Sequence, residues 1–182
     1  MRVFTLSIMN SLLILSMLNG EVTIGADVVS RYVWRGTDFG NAASVQPSIE
    51  TAVGPVTMGV WGSFPITDPV GKSVTAGNEC DLYASTTVGP VELTLTDYFF
   101  PEYADLDSLT NIDKHIIEIS GGVDVGPVSI LTAANLIGDD NNSTYLELTY
   151  GEFSLGLGNG AYSTGGEFVF VSVGVSASRD NF

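Results

Sequence analysis

The chain has 182 residues, 45% of them hydrophobic and only 15% charged, a length that suits one domain. Its 21 Asp and Glu against 6 Lys and Arg give a formal net charge of -15, which excludes nucleic acid as a partner, because phosphate binding needs a basic surface. A single cysteine, Cys80, excludes an internal disulfide.

The opening stretch MRVFTLSIMNSLLILSMLNG, residues 1–20, carries Arg2 and then an apolar run broken by Thr5, Ser7, Asn10, Ser11 and Ser16. A bilayer-spanning helix needs about 20 predominantly apolar residues, so this run reads as a secretory signal peptide, and 21–182 as the exported domain. Beyond it, apolar residues recur with period two, and no stretch keeps the three-and-four spacing of an amphipathic helix. The chain is therefore expected to be all-β.

In VTIGADVVSRYVW, residues 22–34, one face carries Val22, Ile24, Ala26, Val28, Tyr32 and Trp34 and the other Thr23, Asp27, Arg31 and Arg35. The same alternation separates Val45, Pro47 and Ile49 from Gln46, Ser48 and Glu50, then Met58, Val60 and Phe64 from Thr57, Gly59 and Trp61, then Cys80, Leu82 and Ala84 from Glu79, Asp81 and Tyr83. Further strands are expected near 91–99, 114–124, 128–137, 144–150, 153–161 and 167–177, about ten in all and about ten residues each, the length that crosses a bilayer at barrel tilt.

The tetrapeptide VGPV occurs at 53–56, 88–91 and 125–128, and TYGEF at 149–153 stands where a fourth copy would fall. Gly followed by Pro reverses the chain and offers no ladder donor at the proline, which marks a tight hairpin turn. Longer polar connections alternate with these turns: RGTDFGNAA, TDPVGKSVTAGN, PEYADLDSLTN, GDDNNS and STGG. Short turns on one side and long loops on the other form the layout of an antiparallel transmembrane β-barrel of the Gram-negative outer membrane, with periplasmic turns and extracellular loops.

A soluble sandwich or lipocalin-like barrel also alternates, with its apolar face turned inward. Three features favour lipid on the apolar face: its occupancy on every strand, aromatic residues at strand ends, and the terminal Phe182. Tyr32, Trp34, Phe64 and Phe99 would form one aromatic girdle toward the long loops, and Tyr150 and Phe153 the other toward the short turns.

The stretch SRYVWRGTDFGNAASVQPSIE, with Ser30, Tyr32, Trp34, Arg35, Gly36, Val45 and Gln46, resembles the opening of the TorF-type porin family, and GVWGS at 59–63 and ECDLYA at 79–84 continue the likeness. The resemblance implies an outer-membrane barrel with a transport role. It implies no catalytic residue.

With the apolar face on lipid, the lumen would hold Asp27, Glu50, Glu79, Asp81, Glu92, Glu118 and Glu147 together with Arg31, Arg35 and Lys114. Such an acidic lining attracts cations and gives a passive, cation-preferring channel for small ions or solutes. The alternative is a barrel plugged by pairs between these acids and bases, because an unpaired buried charge is costly, leaving a structural or surface-binding protein. Arg35 is expected either to pair with Glu79 or Asp81 across the barrel or to contact a ligand at the mouth. The expected partners are the lipid bilayer and lipopolysaccharide, the barrel-assembly machinery, and the solute.

An outer-membrane hydrolase would need a histidine near carboxylates at the rim. The one histidine, His115, shares the parity of Ile117 and Ile119 and is expected to face lipid, and neither Ser108 nor Ser120 stands in a nucleophile motif. No enzymatic activity and no cofactor are expected. The acidic GDDNN, residues 138–142, could hold calcium weakly but reads more simply as a solvated turn.

Overall fold

A computed structural model describes residues 21–40, 42–67, 78–101, 111–163 and 165–178. The expected signal peptide, most of the loops at 67–78 and 101–111, Ser108 and Phe182 lie outside these residues.

The described residues form twelve strands: β1 (Val22–Val29), β2 (Tyr32–Trp34), β3 (Thr37–Gly40), β4 (Ser44–Val53), β5 (Val56–Pro65), β6 (Glu79–Val88), β7 (Val91–Phe99), β8 (His115–Val125), β9 (Val128–Ile137), β10 (Thr144–Tyr150), β11 (Phe153–Gly158) and β12 (Val169–Val175). Ten of them make one antiparallel meander in the order β1-β4-β5-β6-β7-β8-β9-β10-β11-β12, and β2 pairs with β3 in a separate hairpin. The all-β reading and the ten-stranded count of the main sheet therefore hold, with β1, β7, β10, β11 and β12 shorter than ten residues and the first strand ending before Tyr32.

The repeated turn works as its chemistry requires. Val53 pairs with Val56, Val88 with Val91, and Val125 with Val128, each across a two-residue Gly-Pro loop. Gly54, Gly89 and Gly126 all have φ of 62°. A left-handed glycine followed by proline's fixed negative φ is the type II′ combination, whose twist matches that of the flanking strands. Gly151, with φ of 56°, makes the fourth turn between Tyr150 and Phe153. Because each of these turns has two residues, parity carries over within each hairpin, and the polar residues of its two strands share one face.

That parity gives an unusual burial pattern. The row Ile24, Ile49, Val60, Leu82 runs across β1, β4, β5 and β6 and is open to solvent, with Ile24 75% exposed. At the far edge Val173 on β12 is 78% exposed. On the opposite face Ser63, Glu79, Asp81 and Glu118 are buried, Glu118 with only 2% of its surface exposed. The apolar face is outward and the polar face inward.

The sheet curls around its polar face. Arg35 reaches Glu118 on β8, while a Cβ on the adjacent Gly36 would strike the backbone of Val171 on β12. In a flat sheet β8 and β12 would lie four interstrand steps apart, about 19 Å; one dipeptide touches both only because the sheet wraps around it. The expected closed barrel is not completed by hydrogen bonding: among the described residues the ladder ends at β1 and β12, which do not pair with each other.

Candidate functional site

The first strand was expected to run unbroken through Trp34. Instead it stops at Val29, and residues 32–40 fold back as the β2–β3 hairpin. Arg35 and Gly36 make its two-residue turn with φ of 48° and 80°. A turn with positive φ at both positions is type I′, easy for Gly36 and uncommon for an arginine. Gly36 is further required by its approach to Val171, where no side chain fits.

The hairpin places its side chains against the polar face at the long-loop end. The Tyr32 hydroxyl donates to Glu79 at 2.7 Å, and its ring stacks on Phe39 at 4.8 Å and tilts against Trp61 at 5.6 Å. Trp34 meets Tyr98 edge-on at 5.3 Å and Tyr162 at 5.9 Å. Tyr32 and Trp34 are thus not part of an outward girdle, which corrects the expectation from parity: the bend at Ser30 and Arg31 turns both rings inward, and Tyr32 is buried. Phe64, Tyr150 and Phe153 do lie exposed on the apolar face, and Phe99 shares that face but is covered by His115, whose ring stacks on it at 4.8 Å.

Arg35 is the centre of the arrangement. Its guanidinium donates from Nη1 and Nη2 to the two carboxylate oxygens of Glu118, the second bond at 3.0 Å, and Nη1 also reaches the Tyr162 hydroxyl at 2.8 Å. The faces of Trp34, Tyr145 and Tyr162 stand 4.2, 4.5 and 5.7 Å from the guanidinium carbon. The Tyr98 hydroxyl donates to Glu118 Oε1 at 3.1 Å. Burial works against the Arg35 charge, but the hydrogen bonds and field of Glu118 outweigh it and hold the guanidinium's pKa above its ordinary value. The expected partner of Arg35 was Glu79 or Asp81; the structure gives Glu118, because the hairpin turn lies over β8 while Tyr32 covers β6.

Glu79 and Asp81, two positions apart on β6, point to the same side, and Asp81 is only 6% exposed with its Oδ1 lacking any hydrogen-bond partner. Arg31 and Lys114 do not neutralise them. Arg31 pairs with Asp38 across the exposed base of the hairpin, and Lys114 is exposed in the short 3-10 turn Ile112–Lys114 that leads into β8. Glu50 accepts a hydrogen bond from Tyr83 at 2.9 Å, and Asp27 is exposed on β1.

Toward the short turns the polar face is open. Glu92, Asp124 and Glu147 line a cavity of about 340 Å³ with Thr87, Ser129 and Thr149. Asp124 accepts from Ser129, and Glu147 from Tyr145 at 2.8 Å. Of the ten expected interior residues, the structure gathers Arg35, Glu79, Asp81 and Glu118 at one end and Glu92 and Glu147 at the other. Sequence reasoning placed Tyr83 on the polar face but missed Asp124, although its parity matches that of Glu118, and the tyrosines Tyr98, Tyr145 and Tyr162, whose hydroxyls reach Arg35 or the acids.

His115 lies 2.8 Å from Asp97 and, through its pairing with Phe99, on the apolar face that parity assigns to it. Asp139, in the loop where calcium was considered, accepts from Asn135, the Asn141 N–H and the Ser143 N–H at 2.9, 3.0 and 2.8 Å. Its oxygens close their own turn, and among the described residues no group of three His, Cys, Asp or Glu could hold a metal.

These features define a class of all-β protein: one curled antiparallel meander, apolar outside and polar inside, with a hairpin folded against the inner face. The chain belongs to the bacterial family Gcw_chp, described as a bacterial protein of unknown function, whose model matches residues 19–177. No curated protein and no solved structure matches it.

Proposed function

We propose that the protein is a porin-type β-barrel of the bacterial outer membrane whose acidic interior forms a narrow, cation-preferring passage for small ions or solutes. The observation that carries this reading is the inverted burial of the ten-stranded sheet, with Ile24, Leu82 and Leu95 on β1, β6 and β7 exposed while Glu79, Asp81 and Glu118 are buried. Water penalises so broad an apolar face, and lipid does not. In the bilayer β1 and β12 close on each other, because an open sheet edge leaves unpaired backbone groups in hydrocarbon. The likeness of residues 30–50 to TorF-type porins supports the same reading. Assembly then calls on the barrel-assembly machinery, and the long loops meet lipopolysaccharide.

The hairpin supports a second reading, a barrel that does not conduct, since Tyr32, Trp34 and Arg35 occupy the interior at the long-loop end. The channel reading treats the hairpin as a constriction above the acidic cavity, and the second treats it as a plug.

Insertion is tested by refolding the exported domain into phospholipid vesicles. A closed barrel migrates faster on a gel before boiling than after, and urea at alkaline pH does not extract it from the vesicles. A chain that stays in the aqueous fraction contradicts the reading.

A further inference from the structure

The surroundings of Arg35 are those of a cation receptor. The Glu118 carboxylate is buried and presents both oxygens to one planar group, with the Tyr98 hydroxyl holding Oε1 from the side. Trp34, Tyr145 and Tyr162 wall the same slot with ring faces. A carboxylate fork with aromatic walls selects a flat, bidentate, weakly hydrated cation over a compact ammonium. Arg35 fills the slot from a left-handed backbone at φ of 48°, an uncommon conformation for a non-glycine residue. Toward the short turns Glu92, Asp124 and Glu147 line the cavity below, an acidic approach to the slot.

We propose that the Glu118 slot is a recognition site for small guanidinium-bearing cations, and that Arg35 occupies it as a built-in surrogate for that ligand. The proposal deepens the channel reading, on which it rests for the route by which the ligand arrives, and it names the solute class: guanidinium compounds displace the Arg35 side chain at the constriction. The walls contributed by β8, β10 and the 3-10 turn Gly160–Tyr162 belong to the sheet and its loops and remain when the arginine leaves.

The test uses Arg35→Ala, refolded in detergent and titrated with methylguanidinium or methylammonium at millimolar concentration, far below the molar range in which guanidinium denatures. Trp34 fluorescence reports occupancy. The expected result is saturable binding of methylguanidinium at least about tenfold tighter than methylammonium, lost in Arg35→Ala with Glu118→Gln and weakened at least about tenfold in the wild type, where the ligand must displace Arg35. Equal binding of the two cations, or binding that survives Glu118→Gln, overturns the proposal. Where Arg35→Ala does not refold alone, the unboiled-gel shift is read against added cation. Rescue by methylguanidinium and not by methylammonium supports the site, and no rescue by either overturns it. Bilayer conductance is measured separately: binding with electrical silence defeats the channel reading and leaves the site, whereas conductance without discrimination does the reverse.

Discussion

Arg35 and Glu118 stand 83 positions apart in the chain and share two hydrogen bonds across the curled sheet, with side chains only 9% and 2% exposed. A charge so buried tolerates the loss of its partner poorly. Arg35→Ala is expected to destabilise the fold by about 3–5 kcal/mol, and Glu118→Gln combined with it to restore part of that loss, with a coupling energy of about 1–3 kcal/mol. Urea unfolding of the four proteins in detergent measures the cycle. Additive losses would show that the pair is not coupled.

Gly36 sits where a Cβ would meet the Val171 backbone, at φ of 80°. Gly36→Ala is expected to dislodge the hairpin turn and to cost about 1–3 kcal/mol. The readout is faster proteolysis within residues 30–42, together with larger conductance steps in the channel reading. A variant as protease-resistant as the wild type would mean that the hairpin shifts without leaving.

Leu95 lies near the middle of β7 and is 49% exposed on the apolar face. In water a Leu95→Arg change at such a site alters stability by no more than about 0.5 kcal/mol, whereas at the middle of a bilayer it costs about 2–4 kcal/mol. Refolding yield into phospholipid vesicles, measured against the wild type, separates the two cases: the membrane reading expects the yield of Leu95→Arg to fall, and an unchanged yield contradicts it.

Burial alone would raise the Asp139 carboxyl, but the Ser143 and Asn135 side chains and the Ser143 and Asn141 N–H groups outweigh it and lower its pKa from 3.8 to about 2. A lowered folded value means that the unfolded chain binds the proton first as pH falls. The contribution of Asp139 to stability is therefore complete above about pH 4 and is lost as pH drops through about 2. Titration of the Asp139 carboxyl carbon by NMR is expected to show that low midpoint. A midpoint near 4 would mean that the 138–143 turn is open in solution.

The turns and strand parity were legible because both are local. Gly-Pro at 54–55, 89–90 and 126–127 fixes a two-residue loop, and two-residue loops fix which face each side chain takes, so His115 and Leu95 could be placed from the sequence. The hairpin was not legible, because Tyr32 and Trp34 continue the period-two pattern of β1 through the bend at Ser30 and Arg31. The signals that could have found it are the density of aromatics at Tyr32, Trp34 and Phe39, the Arg35-Gly36 dipeptide at a turn, and Arg31 and Asp38 placed to pair across its base. The Arg35 to Glu118 contact and, among the described residues, the unpaired edges of β1 and β12 depend on how far the sheet curls, which no local pattern encodes.

The most direct measurement of the central claim is planar-bilayer conductance of the refolded protein under a salt gradient. The account predicts small discrete steps whose reversal potential favours cations, a preference weakened by changing Glu79 and Asp81 to their amides. Electrical silence from wild type and Gly36→Ala alike, in barrels that shift on an unboiled gel, or a reversal potential that favours anions, would contradict it.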